Sequence, residues 1–222
     1  MRNSINAFSK LASYILPINL AKSQSAVSGT ISVDLLRGEL MLCADKACYS
    51  FGKYYNPFKH SFRYAAEKGW RLPQNFLLLG AGMLSALRIL QHNHQHLPQQ
   101  TSAVELDAKV IAYAKQFVDP KLLSQTNLIQ ADAVAFMATH ALQHDCIAVD
   151  VYVDMDIPQQ VTSPAFLERC KQCLATQGYI IYNAYFKDAG MLEAFRQNFE
   201  QVFPSMEAIT WDVNTFFIAR IA

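Results

Sequence analysis

Asn75–Leu90 reads NFLLLGAGMLSALRIL, and this stretch decides the fold. Phe76–Leu79 is an unbroken apolar run that stops at Gly80-Ala81-Gly82. A short apolar run bounded by glycines predicts a strand buried on both faces. Beyond it Leu84, Leu87 and Leu90, with Ala86 and Ile89 alongside, recur at helical spacing. The reading is strand, tight glycine turn, helix. Glycines in such a turn accept unusual backbone angles and let a ligand approach the main chain. The amides at the helix start point at whatever lies above the turn. Taken alone, the stretch fits a structural glycine turn as well as a nucleotide site.

Downstream, strand and helix alternate. Ser102–Glu105 precedes a helix over Ala108–Phe117 with Asp107 as its N-cap, and Asn127–Gln130 leads through Asp132 to a helix over Ala133–Leu142. Cys146–Asp150 is the fourth strand. Ser163-Pro164 opens a helix to Leu174, Gly178 ends that turn, and Tyr179–Tyr182 is the fifth strand. After a helix over Gly190–Phe199, Met206–Trp211 and Thr215–Ile221 flank Asp212-Val213-Asn214 as a hairpin. Repeated strand–helix units require a mostly parallel sheet with right-handed crossovers.

Upstream the pattern differs. Thr30–Leu36, Glu39–Ala44 and Ala47–Phe51 read as three short strands joined at Arg37-Gly38 and Asp45-Lys46, a small antiparallel meander. Ala21–Gly29 is a linker or edge strand. Residues 1–16 carry Phe8, Leu11, Ile15 and Leu16, an imperfect amphipathic helix suited to docking on the body or on a second subunit. Tyr54–Gly69 reads as one helix ending at Gly69. The expected division is a segment with its meander over 1–53 and an α/β nucleoside-binding domain over 54–222.

With 222 residues, 52% of them hydrophobic, the chain can bury one full core. A formal charge of +1 gives no electrostatic case for nucleic acid or an anionic membrane. No apolar run approaches the roughly 20 residues needed to cross a bilayer. Asn6, Ser9, Lys10 and Ser13 interrupt any signal-like core, so a cytoplasmic protein is expected. Five cysteines are an odd count for a disulfide framework and read as free buried thiols. His92, His94 and His96 lack an accompanying carboxylate or cysteine and read as a solvated loop; no metal site is expected.

Two ligands compete for the glycine turn. Gly80, Gly82 and Ser85 come close to a dinucleotide fingerprint, and Glu105 ends the second strand where an acid would grip ribose hydroxyls. Both features suit NAD, and both equally suit an adenosyl-methionine site. The meander ahead of the nucleotide unit, Asp132 after the third strand, placed to accept from an adenine amino group, and the closing hairpin favour the latter.

In order, LLLGAG, AVELD, IQADA, DCIAVD and GYIIYN resemble the class I methyltransferase fold. Within it, the small β domain and AVELD followed by AKVIAYAKQFV resemble spermidine synthases and their relatives. The resemblance spans residues 28–222. It implies an α/β, Rossmann-like methyltransferase fold, with a mostly parallel seven-stranded sheet ending in an antiparallel hairpin. It also implies S-adenosylmethionine or its decarboxylated form as cofactor, a small-molecule acceptor, and a homodimer. The candidate nucleoside-binding residues are Gly80, Ala81, Gly82, Glu105, Leu106, Asp132, Ala133 and Asp150; Asp132 reads equally as a helix N-cap and Asp150 as a support of the glycine turn.

The departures bear on chemistry. Aminopropyltransferases follow the first glycines with G-D-G-G, where this chain has Gly82-Met83-Leu84-Ser85. Their fourth strand ends in D-S/T-S/T-D, whose final aspartate assists deprotonation of the attacking amine; counting from Asp150 puts Val153 there. Asp154 and Asp156, in VYVDMDIP, are the acids left on that loop and the candidate catalytic bases, with exposed loop acids as the alternative. Tyr152, Asn183 and Tyr185 would rim the same cleft, because ligands in open α/β sheets bind beyond the carboxyl ends of the strands. Three functions follow: methyl or aminopropyl transfer to an amine, a silent binding or assembly module, and an NAD-dependent enzyme.

Overall fold

The computed structural model describes residues 5–44, 47–153 and 155–222. A short helix α1 (Ala7–Ala12) is capped by Asn6 and buries none of its residues. Phe8, Leu11, Ile15 and Leu16 are exposed, so the apolar face is not docked on the body; the segment is tied to it by Ser13, which accepts from Arg37 N and Gly38 N. Four strands follow, β1 (Ile18–Ser25), β2 (Gly29–Leu36), β3 (Glu39–Ala44) and β4 (Cys48–Phe51), in an antiparallel sheet of order β1-β2-β3-β4. The stretch read as linker or edge strand supplies β1, so the meander has four strands where three were expected. Its polar alternation fits an edge with one wet face. The turn expected at Asp45-Lys46 lies outside the described residues.

Helix α2 (Asn56–Glu67) starts with Pro57 in its first turn, which leaves Tyr55 outside the helix in extended conformation. The second sheet then forms from β5 (Asn75–Leu79), β6 (Gln100–Glu105), β7 (Thr126–Gln130), β8 (His144–Val149), β9 (Leu174–Ala184), β10 (Glu207–Trp211) and β11 (Asn214–Arg220). Its order is β10-β11-β9-β8-β5-β6-β7, parallel from β7 to β9 and antiparallel at β11 and β10. This is the seven-stranded, mostly parallel sheet with a terminal hairpin. Helices α3 (Ser85–Asn93), α4 (Ala108–Phe117), α5 (Pro120–Ser124), α6 (Ala133–Thr139), α7 (Pro164–Gln172) and α8 (Ala189–Val202) complete the chain.

Strand β5 is apolar without a break because both its faces are buried. Phe76 and Leu78 join a core with Phe58, Phe62 and Leu87 that continues into the meander through Ile31, Val33 and Leu42. Leu77 and Leu79 join the opposite core with Phe166, Phe195 and Phe217. Strand β9 begins five residues before the expected Tyr179. Its pairing with β8 jumps from Leu174 to Tyr179, and a Cβ on Gly178 would lie 2.7 Å from Ala175 O and 3.0 Å from His144 O. Gly178 therefore permits a close approach within a bulged strand and does not end a helical turn. His92 is in the last turn of α3, and His96 bonds Pro73 O at 2.7 Å. All five cysteines are free, but Cys48 is exposed and Cys43 half-buried, contrary to the expectation of buried thiols.

Candidate active site

The turn after β5 brings four segments together. Gly80 has φ +86°, and a Cβ there would sit 2.1 Å from Asp150 O, so the turn lies directly against the end of β8. Every amide of the turn is taken by the protein itself. Gly80 N and Ala81 N bond Val104 O, Gly82 N bonds Glu105 Oε2 at 3.0 Å, Met83 N bonds Ser50 Oγ at 3.2 Å, and Leu84 N bonds Ala81 O. Glu105 Oε1 also accepts from Asp107 N at 3.0 Å. Burial raises the Glu105 pKa against the pull of these amides. A carboxylate has about four acceptor sites, so these amides do not exhaust its accepting capacity.

Glu105, Leu106, Asp132, Ala133 and Asp150 line a cleft of about 70 Å³ with Gly80 and Gly82. Asp132 also caps α6, accepting from Ala135 N at 2.9 Å, so the structural and ligand readings are compatible. Ala81 is buried, and its place in the site is its bond to Val104 O. Val27 and Ser28 of the β1–β2 turn roof the cleft. That turn is latched to α4 by Asp107, whose Oδ2 accepts from the hydroxyls of Ser25 and Ser28.

A second cavity of about 470 Å³ opens beside it, lined by Phe51, Tyr54, Tyr185 and Trp211, with Asn183, Asn214 and Asp212. Tyr49, Tyr55 and Tyr152 line both spaces and form the partition between them. Asp150 lines the smaller cleft, and both partners of its side chain, Tyr55 and Asn183, line the larger one. Its carboxylate accepts from Tyr55 OH at 2.9 Å and from Asn183 Nδ2 at 2.7 Å. Burial pushes its pKa up to about 6, and the two hydrogen bonds pull the other way. Burial and the adjacent Asp150 charge raise Tyr55 well above the ordinary phenol range, so it stays a donor. Asn183 is oriented in turn by Asn214 Nδ2 at 2.9 Å, and Tyr152 OH bonds Asn183 O at 3.1 Å. Among the described residues, no Lys, Arg or His lines either space, while Glu105, Asp132, Asp150 and Asp212 do.

Of the two loop acids, Asp154 lies outside the described residues. Asp156 is exposed, bonds Lys187 Nζ at 2.9 Å, and lines neither space. Tyr49 and Tyr55 were missed from the sequence, because no local spacing connects the meander and the start of α2 to the end of β8. The signal for Tyr55 was Pro57, which places the helix start after it. Among the described residues no group of three or more His, Cys, Asp or Glu is placed to hold a metal ion, and no helix is long and apolar enough to cross a membrane.

The spermine/spermidine synthase domain model matches residues 67–219. The chain belongs to the spermine/spermidine synthase family. It is similar to a polyamine aminopropyltransferase of Chromobacterium violaceum, at 28% identity over 118 residues, 52% of this chain and 44% of the relative. It spans less than half the length of the curated relatives it matches. Its fold is similar to a spermidine synthase solved with the transition-state analogue AdoDATO, at TM-score 0.70 and 15% identity, covering 92% of this chain and 73% of that one. It is also similar to human methyltransferase-like protein 13 in complex with SAH, at TM-score 0.62 and 23% identity, covering 73% and 82%. This spermine/spermidine synthase family member thus has the Rossmann-like methyltransferase fold.

Proposed function

We propose that the protein transfers an aminopropyl or methyl group from decarboxylated S-adenosylmethionine or S-adenosylmethionine to an amine, with Asp150 as the proton acceptor. The observation that carries this reading is Asp150 itself: half-buried on the wall of the smaller cleft, bonded to Tyr55 and Asn183 of the larger one, and without a cationic partner among the described residues. A bound sulfonium supplies an electrophilic carbon whose bond to sulfur breaks as the amine nitrogen attacks. Glu105 and Asp132 hold the ribose and adenine ends. Asp150 first attracts the cationic amine and then takes the proton that the nitrogen loses. Tyr55 and Asn183 fix the carboxylate for that transfer, and the aromatic walls of the larger cavity exclude water and face the amine, which aromatic rings also attract.

The charge balance supports cationic ligands on both sides of the partition, and the decarboxylated nucleoside, with no carboxylate of its own, over the complete one. It disfavours NAD. A diphosphate needs free amides or a basic side chain, and the turn offers neither. A module without turnover is the second reading, favoured by Val153 at the position where the resemblance puts the family's base. The deciding experiment is calorimetric titration with each nucleoside and with NAD, followed by mass analysis of products from a panel of amines. Binding of a sulfonium nucleoside with product formation supports the transferase. Binding without product on any amine supports the module, and binding of NAD alone overturns both.

A further inference from the structure

Cys43 on β3 and Cys48 on β4 are opposed partners across the strand pair, on the turn side of a bulge that shifts the register between Leu42 and Cys43. One rung further on, Ala44 N bonds Ala47 O at 2.8 Å. The cysteines therefore occupy the rung between hydrogen bonds, where opposed Cα atoms lie about 4.5 Å apart and side chains approach most closely. That spacing lies within the roughly 4.4–6.8 Å that a disulfide spans. Cys48 is exposed and lines the rim of the larger cavity beside Tyr49, whereas Cys43 is half-buried behind it.

We propose that Cys43 and Cys48 form a thiol–disulfide exchange site at the cavity rim, oxidised by a low-molecular-weight disulfide. Cys48 is the attacking group because it is the one that solvent reaches. Its thiolate attacks one sulfur of the small disulfide, forming a mixed disulfide and releasing one small thiolate. The Cys43 thiolate then attacks the Cys48 sulfur, closing the intramolecular bond and releasing the second. Two protein thiols are oxidised, one small disulfide is reduced to two thiols, and the two protein protons pass to the released thiolates.

The influence of each thiol on the other lowers the Cys48 pKa and raises that of Cys43, which matches this division between attacking and resolving thiol. Burial and Asp34 oppose ionisation of both. In the thiol form Cys48 also donates to Ser50 O at 3.4 Å. The other cysteines, Cys146, Cys170 and Cys173, are almost fully buried and out of reach of such a reagent.

The test treats the full chain with oxidised glutathione under native conditions and reads intact mass and a non-reducing peptide map. The expected product has lost two hydrogens, retains no glutathione, and links the Cys43 and Cys48 peptides. Cys43→Ser should retain one glutathione on Cys48, and Cys48→Ser should acquire neither link nor adduct. A stable adduct on the unsubstituted protein, a link through any other cysteine, or no reaction at Cys48 would overturn the proposal.

Discussion

At the scale of single residues, two groups shifted by burial give opposite responses to pH. The Asp150 pKa is raised from 3.8 to about 6, so the folded state binds this proton more tightly than the unfolded chain does. Its contribution to stability is complete below pH ~4 and is lost as pH rises through about 6, on the order of 2–3 kcal/mol. Asp150→Asn should therefore be more stable than the parent at pH 7 in urea titrations, and turnover should fall roughly 10²–10⁴-fold. In the active parent, kcat/KM should rise with pH through about 6 as the carboxylate ionises. His144 works in the other direction. It is buried at the far end of β8, with Nδ1 3.0 Å from Asn75 Oδ1 and Nε2 2.8 Å from His140 Nε2. Asn75 Nδ2 bonds Gln143 O, which leaves Oδ1 to accept from His144 Nδ1 and His144 Nε2 to accept from His140. Burial, then the His140 charge, lowers the His144 pKa to about 4. The unfolded chain takes up this proton first, so stability falls as pH drops from about 6.5 to 4. His144→Gln should flatten that acid loss, seen as a smaller change in urea midpoint between pH 7 and 4.5. The two slopes oppose each other in the parent, and only the single variants expose them.

At the scale of elements, the turn after β5 shows how far a pattern can be read. Its existence, the buried strand and the helix beyond it were legible because the apolar run and the leucine spacing are local. That Gly80 is pressed against the β8 backbone was not, since β8 lies some 65 residues later in sequence and only the parallel pairing brings it adjacent. The consequence for mutation is specific. Gly80→Ala forces a Cβ into Asp150 O at a positive φ, and should destabilise by about 4 kcal/mol or more. Gly69→Ala, also at positive φ but with nothing within 4 Å, should cost only about 1 kcal/mol. Chemical denaturation of the pair separates steric collision from backbone preference. The same non-locality explains the site. Glu105, Asp132 and Asp150 were legible as strand ends, whereas Tyr49 and Tyr55 reach the cleft only through the docking of the meander. Strand β1 was half legible: its alternation is polar because one face of an edge strand is wet, and that composition is shared with linkers.

At the scale of the molecule, several polar connections hold the meander to the large sheet and its helices, Tyr113 OH to Ser23 Oγ at 2.8 Å among them. Ser50 Oγ accepts from Met83 N and lies 2.5 Å from Ser85 Oγ, Glu39 forms a two-point pair with Arg88 at 2.7 and 2.9 Å, and Asp107 holds the β1–β2 turn. They share one apolar core as well. Ser50→Ala should lower stability by about 1–3 kcal/mol, because it leaves a buried amide without its acceptor. Unfolding followed by tryptophan fluorescence and by far-ultraviolet circular dichroism should still give one coincident transition. The tyrosine partition carries this unity into binding. Since Tyr49, Tyr55 and Tyr152 each touch both spaces, an occupant on one side bears on the same rings that its counterpart meets on the other. Linkage then requires reciprocity: whatever factor an amine applies to the dissociation constant of the nucleoside, the nucleoside must apply to that of the amine. Paired calorimetric titrations, each with the opposite ligand saturating, should return one shared factor different from one, and Tyr55→Phe should bring it closer to one equally from both directions.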